Sequence, residues 1–165
     1  MYYSKIKFND VANGPGLRLS LFTSGCTHHC KGCFQPETWN FKNGEPFTLE
    51  TQKYIIEKSE NKYIAGLSLL GGDPLDNVDG ILPLLQEYRK TFAATKSIWL
   101  WTGYLFEEIL KDDFKSEVLP FIDVIIDGKF EENLKDITLK YKGSTNQRVI
   151  DVKKSVETHT VILYE

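Results

Sequence analysis

The stretch "SGCTHHCKGCF", residues 24–34, holds every cysteine of the chain: Cys26, Cys30 and Cys33, spaced C-x3-C-x2-C. A loop this short lets three thiolates converge on one object from one side. A structural zinc site needs four protein ligands, commonly as two separated pairs. An electron-carrying [4Fe–4S] cluster needs four cysteines. Neither set can be completed with sulfur here. A cubane held by three thiolates leaves one iron without a protein ligand, and open coordination belongs to catalytic rather than structural metal sites. Two other readings stand beside this one. The cysteines are small buried hydrophobes, or they form a Cys3His zinc site completed by His28, His29 or His159. The first sits badly with the neighbouring Gly25, Thr27, Lys31 and Gly32, and the second lacks a further ligand pair at zinc spacing. Outside a zinc site, His28 and His29 read as solvated loop residues or as donors behind the ligands.

Working outward, "LRLSLFT" (17–23) alternates like a strand and leads into the cysteine loop. "TLETQKYIIEKSE" (48–60) starts with a threonine suited to cap a helix. "IAGLSLLGG" (64–72) reads as a buried strand ending in paired glycines. A helix is expected from Val78 to Lys90, broken or kinked near Pro83. "SIWLW" (97–101) is a strand, "LFEEILK" (105–111) a helix and "FIDVIIDG" (121–128) a strand. "QRVIDVKK" and "THTVILYE" read as two final strands. Such alternation implies parallel strands with crossover helices. It fits an α/β class, either an open doubly wound sheet or a (β/α) barrel. A complete eight-unit barrel takes about 250 residues, so a barrel in 165 residues has to be incomplete. In both architectures the site lies at the carboxyl ends of the strands. The cysteine loop, "GGDP", "TGY" and "DGK" each follow a strand and so fall on that edge.

Composition limits the options. A chain of 165 residues with 41% hydrophobic and 26% charged residues is ordinary for one globular domain, here 1–165. A formal charge of −3 argues against a dedicated nucleic-acid binder. The opening "MYYSKIKFND" lacks the apolar core of a targeting signal. No run approaches the ~18 apolar residues of a membrane span. The expected location is the cytoplasm, where thiols stay reduced.

The cysteine spacing after a first strand, with "GGDP" after the next, resembles the radical S-adenosylmethionine (SAM) superfamily. More narrowly, "NGPGLRLSLFTSGCTHHCKGCFQPETW" (13–39), "GGDPL" (71–75), "WTGY" (101–104), "DVIIDGKF" (123–130) and "GSTNQRVIDV" (143–152) resemble the activating enzymes of anaerobic (class III) ribonucleotide reductases. The resemblance covers nearly the whole chain. It implies a partial (β/α) barrel, a [4Fe–4S] cluster on Cys26, Cys30 and Cys33, and SAM chelating the open iron. The implied reaction is reductive SAM cleavage by an oxidoreductase of the glycyl-radical activating class (EC 1.97.1.-, like the activase of formate C-acetyltransferase), leaving a glycyl radical on the reductase. The resemblance leaves open the activase of another glycyl-radical enzyme.

Residue chemistry suggests the contacts. Gly71 and Gly72 allow a backbone to approach a ligand closely, and Asp73 suits a charge-assisted bond to the SAM ammonium. Gly32 and Phe34 are candidates for the adenine pocket, Phe34 by stacking. Thr102 and Gly103 offer hydroxyl and backbone contacts, and Arg148 suits the SAM carboxylate. Trp99 and Trp101 read as sheet packing. An incomplete barrel leaves one flank open, which suits a protein substrate: the reductase itself, entering as a glycine-bearing loop. With no cysteine for a second cluster, the electron has to come from outside, from a flavodoxin-like donor.

Overall fold

The computed structural model describes residues 1–165. Its frame is one open seven-stranded sheet. In chain order the strands are β1 (Tyr2–Asp10), β2 (Leu17–Ser24), β3 (Glu45–Pro46), β4 (Ile64–Gly71), β5 (Ser97–Trp101), β6 (Val124–Asp127) and β7 (Arg148–Asp151). They lie in the order β3-β1-β2-β4-β5-β6-β7. The centre, β2-β4-β5-β6, is parallel, whereas β1 and β7 run antiparallel on its flanks. The four helices are α1 (Leu49–Ser59), α2 (Val78–Phe92), α3 (Phe106–Lys111) and α4 (Val152–Thr158).

The period-2 alternation of the strands sorts residues onto two unlike faces. Leu19, Leu21, Leu67, Leu69, Ile98, Leu100, Ile125 and Ile150 point one way. They pack with Ile55 of α1, Ile81, Leu84, Leu85 and Tyr88 of α2, Phe106 and Ile109 of α3 and Val152 of α4. Each fully buried leucine or isoleucine contributes roughly 1.5–3 kcal/mol. All four helices thus cover the same face, unlike a doubly wound sheet, which carries helices on both. The opposite face holds Arg18, Ser20, Ser68, Trp99, Val124 and Ile126.

Arg18 closes the amino-terminal end of that second face. It is fully buried and makes no ion pair; five hydrogen bonds hold it instead. Its Nε donates to Ser68 Oγ (2.7 Å), and its two terminal nitrogens donate to Ser97 Oγ (2.9 Å), Ser97 O (2.9 Å), Leu67 O (3.0 Å) and Pro15 O (3.1 Å). Burial pushes its pKa down to about 10. Beside it, buried Asp10 accepts from Ser20 Oγ (2.6 Å) and Asn13 Nδ2 (2.7 Å), fastening the β1–β2 turn over the sheet.

Thr48 caps α1 as expected. Its hydroxyl accepts from Thr51 N (3.2 Å), and Thr51 Oγ1 accepts from Thr48 N (3.3 Å). Three expectations need correction. The helix α2 runs unbroken through Pro83 to Phe92. "QRVIDVKK" is a strand only to Asp151, whose carboxylate then accepts from Lys154 N (3.0 Å) and caps α4. The closing "THTVILYE" forms no strand; a single bridge, Ile150–Leu163, ties it to β7. The strand β1 had no counterpart in the sequence reading.

Candidate functional site

The carboxyl ends of the parallel strands open into a cavity of about 470 Å³. Its lining draws on the cysteine loop after β2 (Cys26, Cys30, Cys33, Phe34), the loop after β4 (Gly71, Gly72, Asp73) and the loop after β5 (Thr102, Gly103). Gly128 and Phe130 after β6 complete the ring of loops. The expected convergence of four loops on one edge is therefore present.

The three cysteines are free thiols. Cys26 is buried, and desolvation, with the charges of Asp73 and Asp76 adding to it, pushes its pKa up to about 11; the N–H groups of His28 and His29 pull the other way. Burial likewise raises Cys30, partly offset by the N–H of Phe130. A buried thiol with backbone donors aimed at its sulfur stays neutral alone and ionises against a metal. Three soft sulfurs lining one cavity are the donor type of an iron–sulfur group.

The histidines are engaged elsewhere. His28, only 6% exposed, places Nε2 2.6 Å from Asp73 Oδ2. It is thus a partner of a neighbouring carboxylate and not a solvated loop residue. His29 stacks on Trp39 at 4.5 Å and 7°. His159 ends α4 in the left-handed region. Ligand atoms of Cys26, His28 and Asp76 lie within 4.8 Å of one another. However, Asp76 already accepts from Tyr104 Oη (2.5 Å) and from both N (2.9 Å) and Oγ1 (3.1 Å) of Thr27. A zinc site here would have to break this set.

The paired glycines serve the protein's own backbone. Gly71 has φ +108°, and a Cβ there would stand 2.5 Å from Thr23 O; one on Gly72 would stand 2.5 Å from Gly25 O. Gly72 N donates to Thr23 O (2.8 Å) and Asp73 N to Gly25 O (2.8 Å), so this loop lies directly on the root of the cysteine loop. Asp73 is buried with both oxygens occupied. Oδ1 accepts from Leu75 N (2.9 Å), and Oδ2 accepts from Thr102 Oγ1 (2.9 Å) and Gly103 N (2.9 Å) besides His28.

The remaining candidates divide. Phe34, 64% exposed, leans on Phe130 at 5.0 Å and lines the cavity. Gly32 turns the loop at φ +76° toward the Glu132 side chain and is not part of the lining. Arg148 is also outside it. Its guanidinium pairs with fully buried Asp127 (2.5 and 3.1 Å) and with Glu107 (2.8 and 3.1 Å), leaving its fork no open side for a second carboxylate. Sequence reasoning missed the far wall, made by Phe22, Leu70, Trp101 and Tyr141. Trp101 Nε1 donates to Tyr141 O (2.6 Å), which pins the 141–147 segment over the sheet. The outward phase of Trp101, opposite to Leu100, was the available signal.

An α/β sheet with three free thiols in the loop after β2 carries the donors of an iron–sulfur domain. A family model described as a 4Fe-4S single cluster domain matches residues 12–150. Proteins named anaerobic ribonucleoside-triphosphate reductase-activating protein are similar along most of their length. The one from Enterobacteria phage T4 is 46% identical over 151 residues (90% of this chain, 93% of that protein). Those from Vibrio cholerae and Escherichia coli K12 are 46% and 44% identical, covering 84% and 85% of this chain and 90% and 92% of theirs. The chain belongs to the family of anaerobic ribonucleoside-triphosphate reductase-activating proteins.

Proposed function

We propose that this chain is a radical SAM activase whose protein substrate is an anaerobic ribonucleoside-triphosphate reductase. The observation that carries the reading is the meeting of three free cysteines and the Gly71–Gly72 loop on one cavity. A [4Fe–4S] cluster with SAM on its fourth iron supplies one-electron cleavage of SAM to methionine and a 5′-deoxyadenosyl radical, which takes a hydrogen atom from a glycine Cα of the reductase. Cys26, Cys30 and Cys33 hold the cluster. The Gly71–Gly72 backbone and Thr102 border the space for the methionine end of SAM. Phe34, with Phe130 behind it, offers a face for adenine. Gly32 shapes the turn that presents Phe34.

The sheet is read as an incomplete (β/α) barrel forming one domain, 1–165, with its helices outside and the cavity within. The single-sided placement of the helices supports this. An open flank admits a glycine-bearing loop of the reductase, and the docked partner then shields the radical from water. The electron comes from an external flavodoxin-like donor. No helix is long and apolar enough to cross a membrane. A cytoplasmic setting, where thiols stay reduced, belongs to the same reading. The enzyme class is an oxidoreductase, EC 1.97.1.-, resembling the activase of formate C-acetyltransferase.

The test is anaerobic reconstitution with iron and sulfide, then addition of a strong one-electron reductant and SAM. Methionine and 5′-deoxyadenosine should appear together, and Cys33→Ala should make neither. A wild-type protein that holds zinc and no iron would overturn the reading.

A further inference from the structure

Asp73 and Asp76 sit three residues apart in the loop after β4, and each gathers one residue of the cysteine loop and one part of the loop after β5. Asp76 takes Thr27 and Tyr104. Asp73 takes His28, at 2.6 Å, and Thr102 with Gly103, both at 2.9 Å. With the Leu75 N–H added, the Asp73 carboxylate accepts four hydrogen bonds, three on Oδ2 and one on Oδ1. The fit around His28 is close: a Cβ on Gly103 would stand 2.7 Å from the imidazole ring. Tyr104 closes the other side of the ring, with centroids 4.5 Å apart.

We propose that Asp73 is a positioning residue that clamps the cysteine loop through His28, and is not the carboxylate that receives the SAM ammonium. This rests on the functional reading above for the nature of the ligand. The clamp itself is a property of the protein without one. Oδ2, with three donors, has no vacant lone pair, Oδ1 holds the Leu75 N–H, and the carboxylate is only 1% exposed, so it is committed to the protein's own loops. Its bonds instead join three crossover loops at the point where Cys26 enters the cavity.

The test uses the full chain with His28→Ala, His28→Gln, Asp73→Asn and the His28→Ala/Asp73→Asn pair. The Gln amide nitrogen reaches the place of Nε2 and can donate to Asp73. In the iron-free protein, mass mapping follows alkylation of Cys26 by iodoacetamide. In the reconstituted protein, iron release to a chelator and SAM affinity are measured without reductase. Removing an outer partner of a metal site typically costs 10–100-fold in retention. His28→Ala should therefore speed both Cys26 alkylation and iron release about ten-fold, and His28→Gln should return both toward wild type. The double variant should be no worse than the worse single one, because both break one contact. The clamp is refuted if His28→Ala leaves both rates at wild type, or if Asp73→Asn weakens SAM binding alone while His28→Ala changes nothing. Should Asp73→Asn not fold, the two His28 variants decide. Failure of wild type to assemble a cluster would count against the functional reading, and the alkylation rates would still decide the clamp.

Discussion

Gly72 lies so close to Gly25 that a Cβ on Gly72 would stand 2.5 Å from the Gly25 carbonyl oxygen and 2.8 Å from that of Thr38. Gly25 N in turn donates to Thr38 O (2.7 Å), so three backbone segments are laminated beneath the thiols. Backbone cannot swing aside as a flexible side chain can. Gly72→Ala should cost about 1–3 kcal/mol by overpacking and lower the iron retained after reconstitution. Urea unfolding and iron analysis check this, and an unchanged midpoint with full iron would contradict the lamination.

Arg148 serves the joint between β6, β7 and α3, where it neutralises fully buried Asp127. Arg148→Met should destabilise the fold by about 2 kcal/mol. That is below the cost of breaking a fully buried pair, because a third of the arginine side chain remains in water. SAM affinity, measured by equilibrium binding to the reconstituted protein, should not change. A loss of affinity without loss of stability would restore Arg148 as a carboxylate receptor.

The acid limb of stability follows from this joint and from Asp10 in the β1–β2 turn. The bond from Arg148 holds Glu107 below its ordinary 4.5. Burial pushes Asp10 up, but bonds from Ser20, Asn13 and the Ala12 N–H outweigh it and leave Asp10 below 3.8. A carboxylate depressed in the folded state contributes stability that is present above its unfolded pKa and lost as pH falls through the folded value. The urea midpoint should therefore hold near neutral pH and decline once pH drops below about 4.5. The decline should be shallower in Arg148→Met. Identical slopes in the two proteins would mean that Glu107 gains nothing from the arginine.

Arg18 presents two opposed terms. Desolvating an unpaired guanidinium is unfavourable, yet its five hydrogen bonds satisfy acceptors at the closed end of the sheet. Each buried acceptor left unmade costs about 1–3 kcal/mol, so the hydrogen bonds win. Arg18→Met should lose about 3 kcal/mol, read from urea unfolding. A neutral or stabilising result would show that water replaces the guanidinium.

The thiol set predicts sensitivity to air. An iron with no protein ligand is open to oxidation, so the reconstituted protein should lose its brown absorbance and its iron on aeration. Substituting any one of Cys26, Cys30 or Cys33 by Ala should prevent stable assembly, as two thiolates hold a cubane poorly. Iron and sulfide content before and after air exposure decide the matter.

Much of the frame was legible because parallel strands buried on both faces write continuous apolar runs, as in "IAGLSLL", and because glycines punctuate their ends. The strand β1 was passed over although "KIKF" alternates, since "YYSKIKFND" lies at the flank of β2 mostly half-buried or exposed, without the continuous apolar run of the central strands. The end of the chain misled for the opposite reason. β-Branched residues in "VILYE" suggested a strand, but the Asp151 cap had already turned the chain into α4. The cysteines and the glycine loop were readable from spacing. The partners of Asp73 and Arg148 were not, because they come from segments 21 to 45 residues away, a distance over which local pattern carries no information.

The bonds that strap Thr27 and His28 reach across 45 to 77 positions of sequence. The place of Cys26 beside these residues thus depends on β2, β4 and β5 having come together. Metal uptake should accordingly lag behind burial of the core, and a peptide of residues 24–34 alone should lack the order that the full chain imposes.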